Sequence, residues 1–329
     1  MRRLAILLVA IGLMGAAAGC GGGSDTTAST AGGSPESGGK KISVGIVGFA
    51  SADPTSQLAI AGYRKIADEK GWEVTYVDPG GAADKAVAAM QNLVQKQVDI
   101  IVTAVFPADS LAGGAAAAKA AGIPVISLSG GTGDGVQVNY DSGIQQGKDI
   151  AKELVKDTGG KGKLLVLGYK SGLPCIEREE GLTQALKSTS LEVTREEVPI
   201  PGQVDASIAF TQAWLAKNPS TGDGLAVWGC FDDPALGALA AVAQANREDV
   251  KIYGINGQPA AIKAVDAGTM TATIWLNAEA AGENMAKNTE KYIAAGVDAQ
   301  PTDESIPSIL VSKDTVKEFL AKYPQSITQ

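Results

Sequence analysis

Short apolar runs alternate along this chain with longer stretches in which apolar positions recur every three or four residues. The runs at 42–47, 99–103, 124–128, 163–167, 225–228, 251–253, 271–275 and 306–311 are largely apolar, the pattern of strands covered on both faces. Two further strand-length segments, 73–77 and 192–198, mix polar with β-branched residues. Between them lie helix-length segments at 57–70, 85–96, 111–121, 144–156, 176–187, 206–217, 235–245, 262–267, 279–295 and 315–322. In 57–70, Leu58, Ile60, Ala61 and Ile66 form an apolar face that stops at Gly71. Strands and helices of these lengths in alternation predict βαβ units and parallel sheets. A weak internal echo divides the chain in two: Gly62 and Gly181 are each followed eleven residues later by Glu-Val-Thr, at Glu73 and Glu192. Two similar α/β lobes account for it.

The segment 225–239, LAVWGCFDDPALGAL, shows where such lobes carry chemistry. A buried strand breaks at Gly229, leaves Cys230, Phe231, Asp232 and Asp233 in a turn, and a helix begins at Pro234. Proline suits the first helical turn, and an acidic residue before it can cap free N–H groups. Open α/β sheets bind ligands in the crevice at such carboxyl strand ends. The loops 48–54, 104–110, 168–174 and 254–259 are of the same kind.

The first forty residues stand apart. Arg2 and Arg3 precede an apolar run, 4–18, which is shorter than the ~20 residues a membrane-spanning helix needs. Ala17-Ala18-Gly19-Cys20 follows. Residues 1–19 are predicted to be an export signal, similar to those of bacterial lipoproteins, in which the cysteine becomes the lipidated first residue. An ordinary signal cut near Ala18 is the alternative. The Gly/Ser/Thr-rich stretch 20–40 cannot bury a core and is expected to be a flexible tether. The protein would then be exported and held at the outer face of the cytoplasmic membrane through its lipid anchor only.

The net charge of −8 becomes −10 once Arg2 and Arg3 leave with the signal. That acidity argues against nucleic acid and anionic lipid surfaces as partners. The chain has no histidine, hence none of the commonest general base or metal ligand. Nucleophile elbows, Walker loops and Cys-x-x-Cys pairs are also missing, and Gly130–Gly135, GGTGDG, lacks the Lys-Ser/Thr of a phosphate loop. A binding protein, not an enzyme, with no metal or cofactor, is the expectation.

Specific motifs then appear in a specific order: ISVGIVGF, Asp53-Pro54, GYRKIADEKGWEV, AAKAAGIPVISL, EREEGLTQAL, DDPALGALAA and IYGINGQPAAIKAV. From about Ile42 to Val311 the chain resembles the type I periplasmic, ribose-type solute-binding proteins of bacterial ABC importers. The resemblance implies two Rossmann-like lobes with parallel sheets, joined by a three-segment hinge and closing on a ligand. Crossings are expected near Asn139-Tyr140, Trp275-Leu276 and Asp303-Glu304, with 41–139 and 276–303 in the N-terminal lobe and 140–275 and 304–329 in the C-terminal lobe. LacI-type repressors share this fold but carry a DNA-binding motif where this chain has its export signal.

The resemblance also implies a site, and the site departs from its pattern. Where ribose-type proteins have Asn-Pro-Phe-Phe, this chain has Asp53-Pro54-Thr55-Ser56, and Ser129-Gly130 replaces Asp-Arg. An arginine becomes Ile176, an asparagine Phe231 and an aspartate Asn256, while a glutamine falls at Leu276 or Asn277. The expected ligand set is Phe49, Asp53, Thr55, Phe106, Ser129, Tyr169, Phe231, Asp232, Asn256, Trp275 and Asn277. Phe49 and Trp275 also fit plain packing, and Asp53 and Asp232 also fit helix caps. No arginine aligns with the cleft, so strong anions are not expected. The expected ligand is a small neutral solute, sugar-derived or a less hydroxylated cyclic or aromatic compound; a cationic amine held by Asp53 and Asp232 is a further choice. A monomer delivering it to an ABC importer permease is the main reading. A ligand-reporting partner of a membrane sensor, or a secreted enzyme on the same fold, are the alternatives. Cys175 and Cys230 follow strands that neighbour each other in this fold, so an exported protein can join them in a disulfide.

Overall fold

The computed structural model describes residues 41–140, 143–219, 224–304 and 306–328. The segments expected to be an export signal and a tether, and Cys20 with them, lie outside the described residues. Among the described residues no helix is long and apolar enough to cross a membrane.

The apolar runs become inner strands of two six-stranded sheets, except that at 306–311, which becomes an edge strand. In the first, β1 (Ser43–Val47) is flanked by β2 (Glu73–Val77) and β3 (Ile100–Ala104), and β4 (Val125–Leu128), β5 (Val138–Tyr140) and β11 (Thr302–Glu304) continue beyond β3, all parallel. In the second, β6 (Lys161–Gly168) lies between the edge strand β7 (Ser190–Glu197) and β8 (Leu225–Gly229). Beyond β8 come β9 (Val250–Asn256), β10 (Ala272–Leu276) and β12 (Ser308–Ser312), of which β12 alone is antiparallel to its neighbour. Strands β3, β8 and β10 are buried along their whole length, because helices cover both faces. The mixed-polarity segments fall at the sheet edges, as β2 and β7.

The Gly62/Gly181 echo has a structural cause. Gly62 sits in α1 (Pro54–Glu69) against Gly282 of α9 (Ala278–Lys287), where a Cβ on either would overlap the backbone of Glu279 or Ala59. In the second lobe, Gly147 of α4 (Gly143–Thr158) and Gly181 of α5 (Leu173–Leu186) repeat the arrangement against the backbones of Arg178 and Ile144. Each lobe thus has such a helix pair in backbone contact.

Three segments pass between the sheets. Tyr140 and Glu304 end strands of the first sheet, and Leu276 ends a strand of the second. The helix expected over 279–295 is divided at Asn288 into α9 and α10 (Thr289–Ala295).

Candidate functional site

The carboxyl ends of both sheets face a shared cavity of about 70 Å³. At about 10–15 Å³ for each water centre and ~30 Å³ of liquid per water, this is room for about five to seven waters, or roughly 150–200 Å³ of solute, the size of a monosaccharide. The first lobe contributes Phe49, Asp53, Thr55 and Ser129, with Ser56, Val105 and Leu128; the second contributes Tyr169, Arg178, Phe231 and Asn256. Leu276, Ala278 and Ile306 add the wall nearest the crossings. The lobes are closed on each other. Leu173 N–H donates across the cleft to the Val105 carbonyl at 3.0 Å. Gln203 Nε2 donates to the Ala52 carbonyl at 2.9 Å and to Asp233 Oδ2 at 2.8 Å. Phe49 meets Tyr169 edge-on, with ring centroids 5.9 Å apart.

The cavity lining holds one acid, Asp53, and one base, Arg178. Asp53 caps α1, its Oδ1 accepting Thr55 N–H at 3.2 Å, and it also lines the cavity, so its two sequence readings hold together. Burial raises its pKa, bonds from Ser56 and Thr55 lower it, Asp233 raises it and Arg178 lowers it. The buried Arg178 guanidinium donates through Nε to Gln146 Oε1 at 2.9 Å and through Nη1 to the Cys230 carbonyl at 2.9 Å. The expectation of a cleft without arginine is corrected here. Arg178 lies four residues after Pro174 and three after Cys175, both lining residues, so the helical period brings it to the same face, while Ile176 turns outward at 38% exposure. Asn256 ends β9 with φ +123°, a conformation rare outside glycine and found where structure constrains function. Its Oδ1 is buried without a hydrogen-bond partner.

A model of the periplasmic binding protein domain matches residues 44–296, over three quarters of the chain. The chain belongs to this family. Within it, this is a type I periplasmic binding protein of the ABC sugar importers. The chain is 29% identical over 258 residues to the ribose import binding protein of Haemophilus influenzae, covering 73% of this chain and 86% of that one. It is also 29% identical over 196 residues to the xylitol-binding protein of Mycolicibacterium smegmatis, covering 57% and 54% respectively. A solved ABC transporter solute-binding protein from Agrobacterium vitis with bound allitol superposes with a TM-score of 0.80 at 27% identity, over 86% of this chain and 99% of that one. These relatives are named as binding proteins.

In this periplasmic binding protein four of the expected ligand residues lie elsewhere. Phe106 is buried behind Phe49, centroids 4.8 Å apart, and supports that ring from outside the cavity. Asp232 is buried, and accepts Thr273 Oγ1–H and Gln258 N–H, each at 2.7 Å. Burial pushes its pKa up to about 7 against those two bonds. It neither caps α7 (Asp232–Gln244) nor reaches the cavity; it ties the start of α7 to β10 and to the loop after Asn256. Trp275 packs on Tyr323 and Phe319 at 4.8 and 5.3 Å, since neighbouring strand residues face opposite ways. Asn277 accepts Ala280 N–H at 3.2 Å and caps α9. Cys175 and Cys230 form a disulfide with Cα atoms 5.2 Å apart, joining the first turn of α5 to the loop after β8. Among the described residues no group of three acidic, His or Cys side chains could hold a metal ion.

Proposed function

We propose that this protein captures one small neutral solute, sugar-derived or a less hydroxylated cyclic compound, and hands it to an ABC importer through hinge closure. The observation that carries the reading is the interlobe cavity, monosaccharide-sized and largely apolar, whose charged lining residues are one acid, Asp53, and one base, Arg178. A net ionic ligand would bring a further charge into this buried space, which is costly. Phe49, Phe231 and Tyr169 offer ring faces and edges, Asn256 Oδ1 offers an acceptor, and a few placed polar groups in an apolar lining are the usual make-up of a small-molecule site. The relatives named for ribose and xylitol, and the solved structure with allitol, support a polyhydroxy solute class. Asp232 is committed to Thr273 and Gln258, which removes half of the grip proposed for a cationic amine. Residues 1–20 support attachment by a lipid on Cys20, with a monomer as the working unit.

A thermal-shift screen of the domain from residue 41, followed by calorimetric titration, tests the reading. Neutral sugars, polyols and cyclic alcohols should raise the unfolding midpoint by mass action, by about 2.7 kcal/mol of stability at a hundredfold excess over Kd. Stabilisation by amines or carboxylates alone would overturn it.

A further inference from the structure

We infer that the solute is a deoxy or methyl-bearing sugar, presenting no hydroxyl to the hinge side of the cavity. The inference rests on the neutral-solute reading above and narrows its class. Among the described residues, the wall at the crossings is built from hydrocarbon. Leu276 ends β10, Ala278 opens α9, Ile306 follows β11, and Leu128 ends β4; all four line the cavity. The polar side chain available at that crossing, Asn277, is turned away to cap α9. Ser129, beside Leu128, donates its hydroxyl hydrogen to the Tyr140 carbonyl at 3.2 Å.

The polar lining comes from other elements. Asp53 precedes α1, Arg178 is in the second turn of α5, and Asn256 ends β9 with an unpartnered acceptor. A bound ring therefore meets hydrogen-bonding groups along one part of its rim and Leu, Ile and Ala side chains along another. A hydroxyl against these four side chains loses its water partners and gains none from them; a hydrogen or methyl there loses nothing and buries apolar surface. Apolar sites discriminate against an added hydroxyl only moderately, by about a hundredfold at best, so the expected preference is ~10- to 100-fold.

Calorimetric titration of the domain from residue 41 with matched pairs provides the test: D-galactose with D-fucose, D-glucose with 6-deoxy-D-glucose, L-mannose with L-rhamnose, and D-ribose with 5-deoxy-D-ribose. In at least one pair the deoxy member should bind ~10- to 100-fold more tightly. Leu276→Gln should shrink that ratio, and the volume-matched Leu276→Met should retain it. Parents that bind as tightly as their deoxy partners in every pair would overturn the inference and leave the neutral-solute reading standing. Binding by neither member of any pair, with stabilisation by amines or carboxylates alone, would overturn both. The wild-type ratios decide the question even if Leu276→Gln does not fold.

Discussion

Opening the Cys175–Cys230 bond should lower the stability of the folded domain by about 4 kcal/mol. The magnitude follows from the chain it closes: the cysteines are 55 residues apart, and loop entropy of roughly 2.1 + 1.5R ln n gives about 14 cal/mol/K, or ~4 kcal/mol at 25 °C. Native strain and residual structure in the reduced unfolded chain commonly reduce such values, so a measured loss of about 2–4 kcal/mol is expected. The bond also has a local consequence. Cys175 lines the cavity, Arg178 follows it by three residues, and the Arg178 guanidinium donates to the carbonyl of Cys230. Freeing the start of α5 from residue 230 therefore loosens Arg178 and Phe231 together, and solute affinity should fall with stability. The assay is urea unfolding of the domain with and without reductant, beside a Cys175→Ser/Cys230→Ser double variant, each also titrated with the best solute. Native protein with two titratable thiols would refute the argument. So would a reduced form whose stability lies within about 0.5 kcal/mol of the oxidised one, a difference no larger than ordinary surface substitutions make.

Three further outcomes follow from the same contacts. The folded-state pKa of Asp232, about 7 against an ordinary 3.8, lies above its unfolded value. Its contribution to stability is thus full below about pH 4 and lost as pH rises through about 7, with a slope of up to ~1.4 kcal/mol per unit. Melting curves from pH 4.5 to 7.5 should show this decline, and Asp232→Asn should flatten it; Asp53, also raised by burial, accounts for the part that persists. Gln203→Ala removes the bonds to Ala52 and Asp233 and leaves a buried carboxylate short of a partner, costing ~1–3 kcal/mol. The unliganded domain should open, seen as a larger radius of gyration in solution scattering, and solute Kd should rise; an unchanged profile would count against the cross-cleft latch. Gly62→Ala forces a Cβ into the Glu279 carbonyl and should cost ~1–3 kcal/mol by overpacking, measured by denaturant midpoint.

The fold was legible wherever burial was two-sided. Runs such as LAVWG and IIVTA are apolar because helices cover both faces of their strands, and turn residues mark their ends. The three-residue strands β5 (VNY) and β11 (TDE) were not legible; they are too short and polar to show a period, and their pairing is created by the crossings. The division at Asn288 also has no apolar signature. There the Asn288 and Thr289 side chains bond to the carbonyls of Asn284 and Met285, a local competition that bends helices.

At the site, sequence reasoning found the loops but missed the phase within them. Val105 lines the cavity where Phe106 does not, Phe231 where Asp232 does not, and Leu276 where Trp275 and Asn277 do not. Each contrast is between adjacent residues, and in extended backbone adjacent residues face opposite ways. At Val105 the backbone itself sets the phase: φ is +68°, an outlier for a β-branched side chain. Hydrophobicity carries no trace of that turn. Arg178 was missed for a related reason, since its exposure depends on helical phase counted from Pro174.

Closure joins these details to transport. Bringing the lobes together makes the Leu173–Val105 and Gln203–Ala52 bonds, each worth about 0.5–1.5 kcal/mol net, and the Phe49–Tyr169 edge contact, worth ~0.5–1.5 kcal/mol. It also encloses Asn256 Oδ1 without a partner, a cost of ~1–3 kcal/mol, and withdraws the Asp53 carboxyl from water. These particular gains and costs are of comparable size. A solute that donates a hydrogen to Asn256 and fills the apolar wall removes the main cost and adds its own burial. Shifting a two-state equilibrium from one side to the other takes only ~5.5 kcal/mol of differential binding, within reach of one monosaccharide-sized ligand. A solute unable to donate to Asn256 leaves the orphaned acceptor in place, and closure would not follow its arrival.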